Sequence, residues 1–300
     1  VTKRLPVVGS TAATTAFCSA RIDGPNSHLF IDGNGKVTSA NGTLKEPKPN
    51  AFSLRAQAVT DARGADPGRT YSADDMDCPG STPSCRQVCY VGPLEKSQRA
   101  TYDLYEHNSQ EIRRIVADPA ANAIWASLMA RWITANAAGG FRWHVSGDVW
   151  SPEYARWIAS VCRESPAVQH WIYTRSFGEE YLRPLVEQST LCGGNLAVNL
   201  SADADNYDEA LAASVHAYDW GASDFLRICY LTLDGVVPDG LRSSDVIFPN
   251  YDLRPRQFAT LAESPWWDTL TSKQKGLVCP VDSFGKSEKA RCGPCDRCMT

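Results

Sequence analysis

The chain has 300 residues, 43% of them hydrophobic, which is enough apolar surface for one large α/β domain or two modest ones. A formal net charge of −4 argues against wholesale neutralisation of a phosphate backbone and leaves room only for a local basic groove. No apolar run reaches the roughly eighteen residues a membrane span needs, and VTKRLPVVGSTAATTAF has too short an apolar stretch for a secretory signal, so a soluble cytoplasmic protein without membrane contacts is expected.

The first predicted element is a hairpin over HLFIDGNGKVTSANG, where Asp-Gly-Asn-Gly supplies the positive φ angles of a tight turn. Residues 57–84, rich in Asp, Gly, Pro and Ser, read as a long surface loop. From residue 100 the pattern turns helical, over TYDLYEHNSQEIRRIVADP and then PAANAIWASLMARWITANAAGG. Strands and helices alternate after that. FRWHVSGD precedes SPEYARWIASVCRES, in which Ser151 caps and Pro152 takes the first helical position. HWIYTRS precedes EEYLRPLVEQ, LAVNLSAD precedes YDEALAASVHAYDW, LRICYLTL precedes a turn, and VIFPN precedes RQFATLAESP and WWDTLTSKQKG. Strands separated by helices pair in parallel through right-handed crossovers. The expected fold is α/β, a complete or partial TIM-like β/α barrel over residues 1–276. Residues 277–300 then form a cysteine-rich C-terminal appendage, too short to build a core without a staple.

Polar residues gather where the apolar strands stop. They are Ser146, Gly147 and Asp148; Thr174, Arg175 and Ser176; Asn199, Ser201 and Asp203; Thr232 and Asp234; and Asn250. Any one of them reads equally well as a helix cap, but five such ends together point to a ligand site at the carboxyl rim of the sheet. Arg175 suits a carboxylate or phosphate, or an internal Asp. His144 reads as a hydrogen-bonded core or rim residue on the face opposite Trp143 and Val145.

Of the eleven cysteines, seven fall into two clusters, which favours metal over disulfides. Cys78, Cys85 and Cys89 have the spacing C-x6-C-x3-C in a Gly/Pro loop, three thiolates that leave one position of a metal centre open. Cys279, followed by Pro280, stands before the closing C-x2-C-x2-C run of Cys292, Cys295 and Cys298, a spacing suited to a closed 4Fe-4S cluster, with structural zinc as the competing occupant. CGPC at 292–295 also matches a thioredoxin-type dithiol, but no predicted strand or helix flanks it. Cys162 and Cys229 read as packed core thiols, and Cys18 and Cys192 carry no motif.

CPGSTPSCRQVCY, HVSGDVWSPEYARWI, HWIYTRS and the closing CP with CGPCDRC together resemble the gene-product-eighty-eight-like proteins of phages and plasmids, a largely uncharacterised family. That resemblance implies a viral protein acting in a bacterial host cytoplasm. A fainter resemblance, in the order of elements, is to radical S-adenosylmethionine enzymes. It implies that Cys78, Cys85 and Cys89 bind a site-differentiated cluster and that Ser146-Gly147-Asp148 holds the cofactor's amine. It also implies that Thr174, Arg175, Asn199 and Ser201 are further cofactor contacts. The loop is longer in both gaps than the C-x3-C-x2-C signature of those enzymes.

The combined expectation is an iron-sulfur protein with one or two clusters, a radical S-adenosylmethionine-like redox enzyme acting on an unknown small-molecule or macromolecular substrate. The alternative is a non-catalytic iron-sulfur or zinc protein with a regulatory, host-interaction or nucleic-acid-binding role, the last drawing on Arg175, Arg242, Arg254 and Arg256 with stacking Trp residues.

Overall fold

Pro25 and Asn26 close the first hairpin, joining β1 (Ala20–Gly24) to β2 (Ser27–Ile31) in an antiparallel pair. Proline presets its own φ and Asn26 accepts φ 57°, so this dipeptide makes the two-residue turn. The segment HLFI is therefore the second strand of a hairpin whose turn precedes it, while the expected turn at Asp-Gly-Asn-Gly lies, from Gly33 onward, outside the described residues. The computed structural model describes residues 20–32, 50–55, 77–89, 91, 98–250, 260–279 and 298.

Six parallel strands follow: β3 (Ala51–Phe52), β4 (Phe141–Trp143), β5 (His170–Thr174), β6 (Leu196–Ala202), β7 (Arg227–Thr232) and β8 (Val246–Pro249). They lie side by side in chain order, β3-β4-β5-β6-β7-β8. The helices in chain order are α1 (Pro83–Gln87), α2 (Arg99–Ala117), α3 (Pro119–Asn136), α4 (Pro152–Glu164), α5 (Glu179–Glu187), α6 (Tyr207–His216), α7 (Pro265–Thr269) and α8 (Ser272–Leu277). Local signals set the boundaries of several. Asp118 and Ser151 cap α3 and α4 through their side chains, each followed by a proline at the first helical position. Thr271 and Gln274 form a capping box on α8.

The alternating expectation thus gives an α/β protein with a parallel sheet flanked by helices. Closure into a barrel is a different matter: β3 and β8 stand at opposite ends of the strand order among the described residues.

Sequential order with right-handed crossovers puts the connecting helices on one face. That face carries Phe52, Phe141, Trp143, Ile172, Leu196, Val198, Leu200, Ile228 and Ile247, which merge with α2, α3 and α4 into the main hydrophobic core. On the other face, alternation places Arg142, Trp171, Tyr173, Ala197, Asn199, Arg227 and Cys229. Among the described residues, Trp171 and Ala197, with Tyr173 against them, form the apolar cluster there. One face holds the fold together, and the other presents polar groups. Leu277 and Val278 join the main core, with Val278 bridged in parallel to Ile247 at the β8 edge.

Ile172 is fully buried on the helix-facing side of central strand β5. Ile172→Ala is expected to cost about 2–5 kcal/mol of unfolding free energy, measured by urea titration. A loss below about 1 kcal/mol would show that this face is not the main core.

Candidate functional site

The carboxyl ends of β4, β5 and β6 meet the cysteine loop, and buried Asp203 is the joint. Its Oδ2 accepts from Arg175 at 2.7 Å and from the Thr82 hydroxyl at 2.5 Å, while Oδ1 accepts from the backbone of Asp205. The Arg175 and Asp203 side chains are 8% and 1% exposed, so this is a desolvated, hydrogen-bonded ion pair. Arg175 is thereby committed to the internal carboxylate, the second of the two roles its position allowed.

Thr82 also caps α1, accepting from Cys85 N at 3.0 Å. Ser84 N donates to Asp205 at 3.0 Å. Gly80 packs so closely on β5's end that a Cβ there would stand 2.2 Å from the Arg175 carbonyl oxygen. The loop is pinned at three points to two strand ends, which fixes the segment carrying Cys78, Cys85 and Cys89 over the rim.

Below the loop lies Asp148. Its Oδ1 accepts from Val149 N and its Oδ2 from Arg175 N, while its own N–H donates to Asp77 O. Burial pushes the Asp148 carboxyl from its usual 3.8 up to about 6, against the opposing hydrogen bonds of Thr174 and the backbone. Asp77 is likewise raised by burial, with Ser109 and Arg113 opposing. Gly147 sits at φ 84° beside Leu54, a backbone region and a space that favour glycine. Ser146 is buried, and its hydroxyl has no hydrogen-bond partner among the described residues.

One predicted site residue is placed differently from the rim that the sequence implied, while Thr174 ends β5 and Ser201 is the last but one residue of β6. Asn199 lies in the middle of β6, on the polar face, because the strand runs on to Ala202. Its amide donates to Ile172 O and to Cys298 O at 3.0 Å, and its Oδ1 accepts from Arg227. Ser201 shares that face, half-buried. Thr174 is buried, its hydroxyl accepting from Ser176 N. His144, at φ 60°, breaks the alternation of β4 and turns toward α4, where Nε2 meets the Tyr154 hydroxyl at 2.8 Å.

Eight cysteines are described: Cys78, Cys85, Cys89, Cys162, Cys192, Cys229, Cys279 and Cys298. Burial raises the Cys85 thiol, with the nearby Arg175 guanidinium opposing and Cys89, Asp203 and Asp148 adding to the rise. Cys85 and Cys89 are therefore neighbours. Among the described residues, no group of three or more His, Cys, Asp or Glu side chains stands at metal-holding spacing. In the tail, Cys279 N donates to Ile247 O, and Cys292 and Cys295 lie outside the described residues. Cys298 rests on the polar face. Burial raises the Cys229 thiol well above its usual value, and contact with Cys298 raises it further.

The sequence reading missed that Cys229 adjoins this face. The signal was there in RICYL, where alternation puts Cys229 on the same side as Arg227. It also missed Thr82 and Asp77, whose roles depend on contacts more than sixty positions away.

The raised carboxyl of Asp148 sets a direction. The folded state binds its proton more tightly than the unfolded chain, so this group's contribution favours folding below about pH 4 and is lost as pH rises through 6. Asp148→Asn should therefore gain stability relative to the parent protein by roughly 2–3 kcal/mol between pH 4 and pH 7, in denaturant titrations at the two pH values. An equal difference at both would contradict the shift.

A family model described as Gene product 88 matches residues 28–300. Two similar proteins are the Gene 88 proteins of Mycobacterium phage L5 and Mycobacterium phage D29, each 32% identical over 143 residues. Each match covers 46% of this chain and 57% of the relative, so the chain spans little more than half the length of these curated relatives. No solved structure matches the chain. No described helix is long and apolar enough to cross a membrane. With the family model running over residues 28–300, the chain belongs to the gene product 88 family of phage proteins.

Proposed function

We propose that this protein is an iron-sulfur protein in which Cys78, Cys85 and Cys89 bind a centre at the carboxyl rim of the sheet. Cys279, Cys292, Cys295 and Cys298 would bind a second. The observation that carries the reading is the anchoring of a loop with three cysteines over the strand ends, through Thr82, Ser84 and Gly80. Such ends are where parallel α/β sheets hold ligands. Thiolates are soft donors that select iron-sulfur clusters or zinc over hard cations.

The donor chemistry fits such a centre, while the spacing of the folded loop does not yet gather all three sulfurs. Binding therefore requires the loop to close round the ion. Since burial favours the protonated thiol at Cys85, binding also releases protons. Three protein ligands leave one position of the centre open to a substrate or to an S-adenosylmethionine-type cofactor. The polar face, with Arg142, Tyr173 and Arg227, is the side on which a partial β/α barrel places its substrate. A cluster here supplies one-electron chemistry, and the surrounding residues position the loop.

Anaerobic purification with iron, acid-labile sulfide and zinc quantified tests this. Iron and sulfide are expected in near-equal amounts with a brown colour, and Cys85→Ser should lower both by about half if two clusters form. A colourless, well-folded preparation holding zinc alone, or no metal, would overturn the reading.

A further inference from the structure

The core beneath the rim holds a tyrosine-histidine pair that neither closes a strand ladder nor caps a helix. Tyr154 is fully buried at the start of α4, and its hydroxyl lies 2.8 Å from His144 Nε2. The pair carries two polar hydrogens, one on the phenol and one on the neutral imidazole, and shares one hydrogen bond. His144 Nδ1 has no hydrogen-bond partner among the described residues. Burial keeps the imidazole neutral by pushing its pKa down to about 3, and pushes the phenol well above its usual value. The arrangement in which the phenol donates and Nε2 accepts uses the contact fully. His144 is held there at φ 60°, a sparsely populated region for a residue with a side chain, of the kind that clusters at functional sites.

Tyr154 is also stacked on both sides. The Trp150 ring lies 5.5 Å away at 15°, and the Trp157 ring 6.0 Å away at 21°. Trp157 in turn meets Trp143 at 5.9 Å. At the rim end, the Arg113 guanidinium lies 4.2 Å from the Trp150 ring centre and pairs with Asp77 at 2.8 Å. Asp77 directly precedes Cys78. A continuous file of oxidisable rings thus runs from the base of the cysteine loop into the core.

We propose that Tyr154 is a redox-active tyrosine, an electron-transfer station between the cysteine loop and the aromatic core, with His144 as its proton acceptor. A one-electron oxidant at the rim, of the thiyl-radical or high-potential metal-complex class, takes one electron from Tyr154 by way of Trp150. The phenol O–H bond breaks and its proton crosses the 2.8 Å contact to Nε2. A neutral phenoxyl radical and an imidazolium remain, and the oxidant is reduced by one electron, a thiyl becoming a thiolate. Return of one electron and the same proton restores the pair. Proton transfer within the hydrogen bond avoids a buried phenol cation. Asp77 and Asp148 act on the phenol and disfavour its anion, while burial and Arg142 oppose the imidazolium, so the oxidised pair is a transient state. The relay uses only side chains of the core, so it stands whether or not the thiols bind iron.

The test uses the metal-free full chain, photo-oxidised by a ruthenium polypyridyl complex and followed by transient absorption and electron paramagnetic resonance. The parent protein is expected to give a tyrosyl radical that rises more slowly in D2O and at a rate unchanged from about pH 7.5 to 9, above the titration of Asp148, because the proton goes to an internal base. Tyr154→Phe should remove most of the signal, and His144→Gln should slow its rise by about tenfold or more. A radical whose rise ignores D2O, or a signal that survives in folded Tyr154→Phe, overturns the proposal. The isotope and pH measurements need no variant, so they decide the matter even if a substitution prevents folding.

Discussion

Asp203 is the constraint on which the rim depends. It is a carboxylate buried beyond the reach of solvent, and such a charge persists only when its lone pairs are occupied. Arg175 comes from the end of β5, Thr82 from the cysteine loop, and the backbone of Asp205 from the loop after β6. Satisfying one charge therefore fixes three segments that are far apart in sequence. Removing Arg175 would leave an unpaired buried anion, a far larger penalty than the loss of an exposed ion pair. The position of the thiols is a by-product of that requirement, since Thr82 lies between Cys78 and Cys85.

The two faces of the sheet divide the labour. The side toward the helices is closed by aromatic and aliphatic packing, with Phe52, Trp143 and Trp157 meeting edge-on or tilted. The other side gives its central positions to Asn199, Arg227, Cys229 and Tyr173, so an amide, a guanidinium, a thiol and a phenol stand there side by side. Asn199 shows how closely this side is accounted for, with its amide shared between a strand carbonyl and Cys298, and its oxygen facing Arg227. The residues of this face and those of the rim belong to the same strands, one register apart.

Much of the architecture was legible in the sequence because it rests on local patterns. The 3.6-residue apolar period, Ser151 with Pro152, and Asp118 with Pro119 announce their helices, and the alternation of strands with helices announces parallel pairing. What escaped depends on contacts between distant residues. Nothing local tells that Arg175 will meet Asp203 rather than a ligand, or that the ring of His144 turns toward Tyr154. A positive φ at a histidine has no signature in composition, and it reverses the face that simple alternation assigns. Asn199 was misplaced for a simpler reason: a polar residue inside a strand looks like the strand's end until the hydrogen-bond register is known.

The chain-order arrangement of the strands also bears on how the molecule assembles. From β4 to β8, each strand pairs with a partner about thirty positions away or fewer, so ring closure costs little entropy at each step. The β3 strand is different: Ala51 reaches across about ninety positions to Arg142, and the intervening segment carries Cys78, Cys85 and Cys89. A strand of two residues offers few ladder bonds to repay so distant a closure, and its place depends on the burial of Phe52 and Leu54 in the main core. The thiol-bearing segment is thus held in place by its anchors at Thr82, Ser84 and Gly80 and not by sheet pairing of its own.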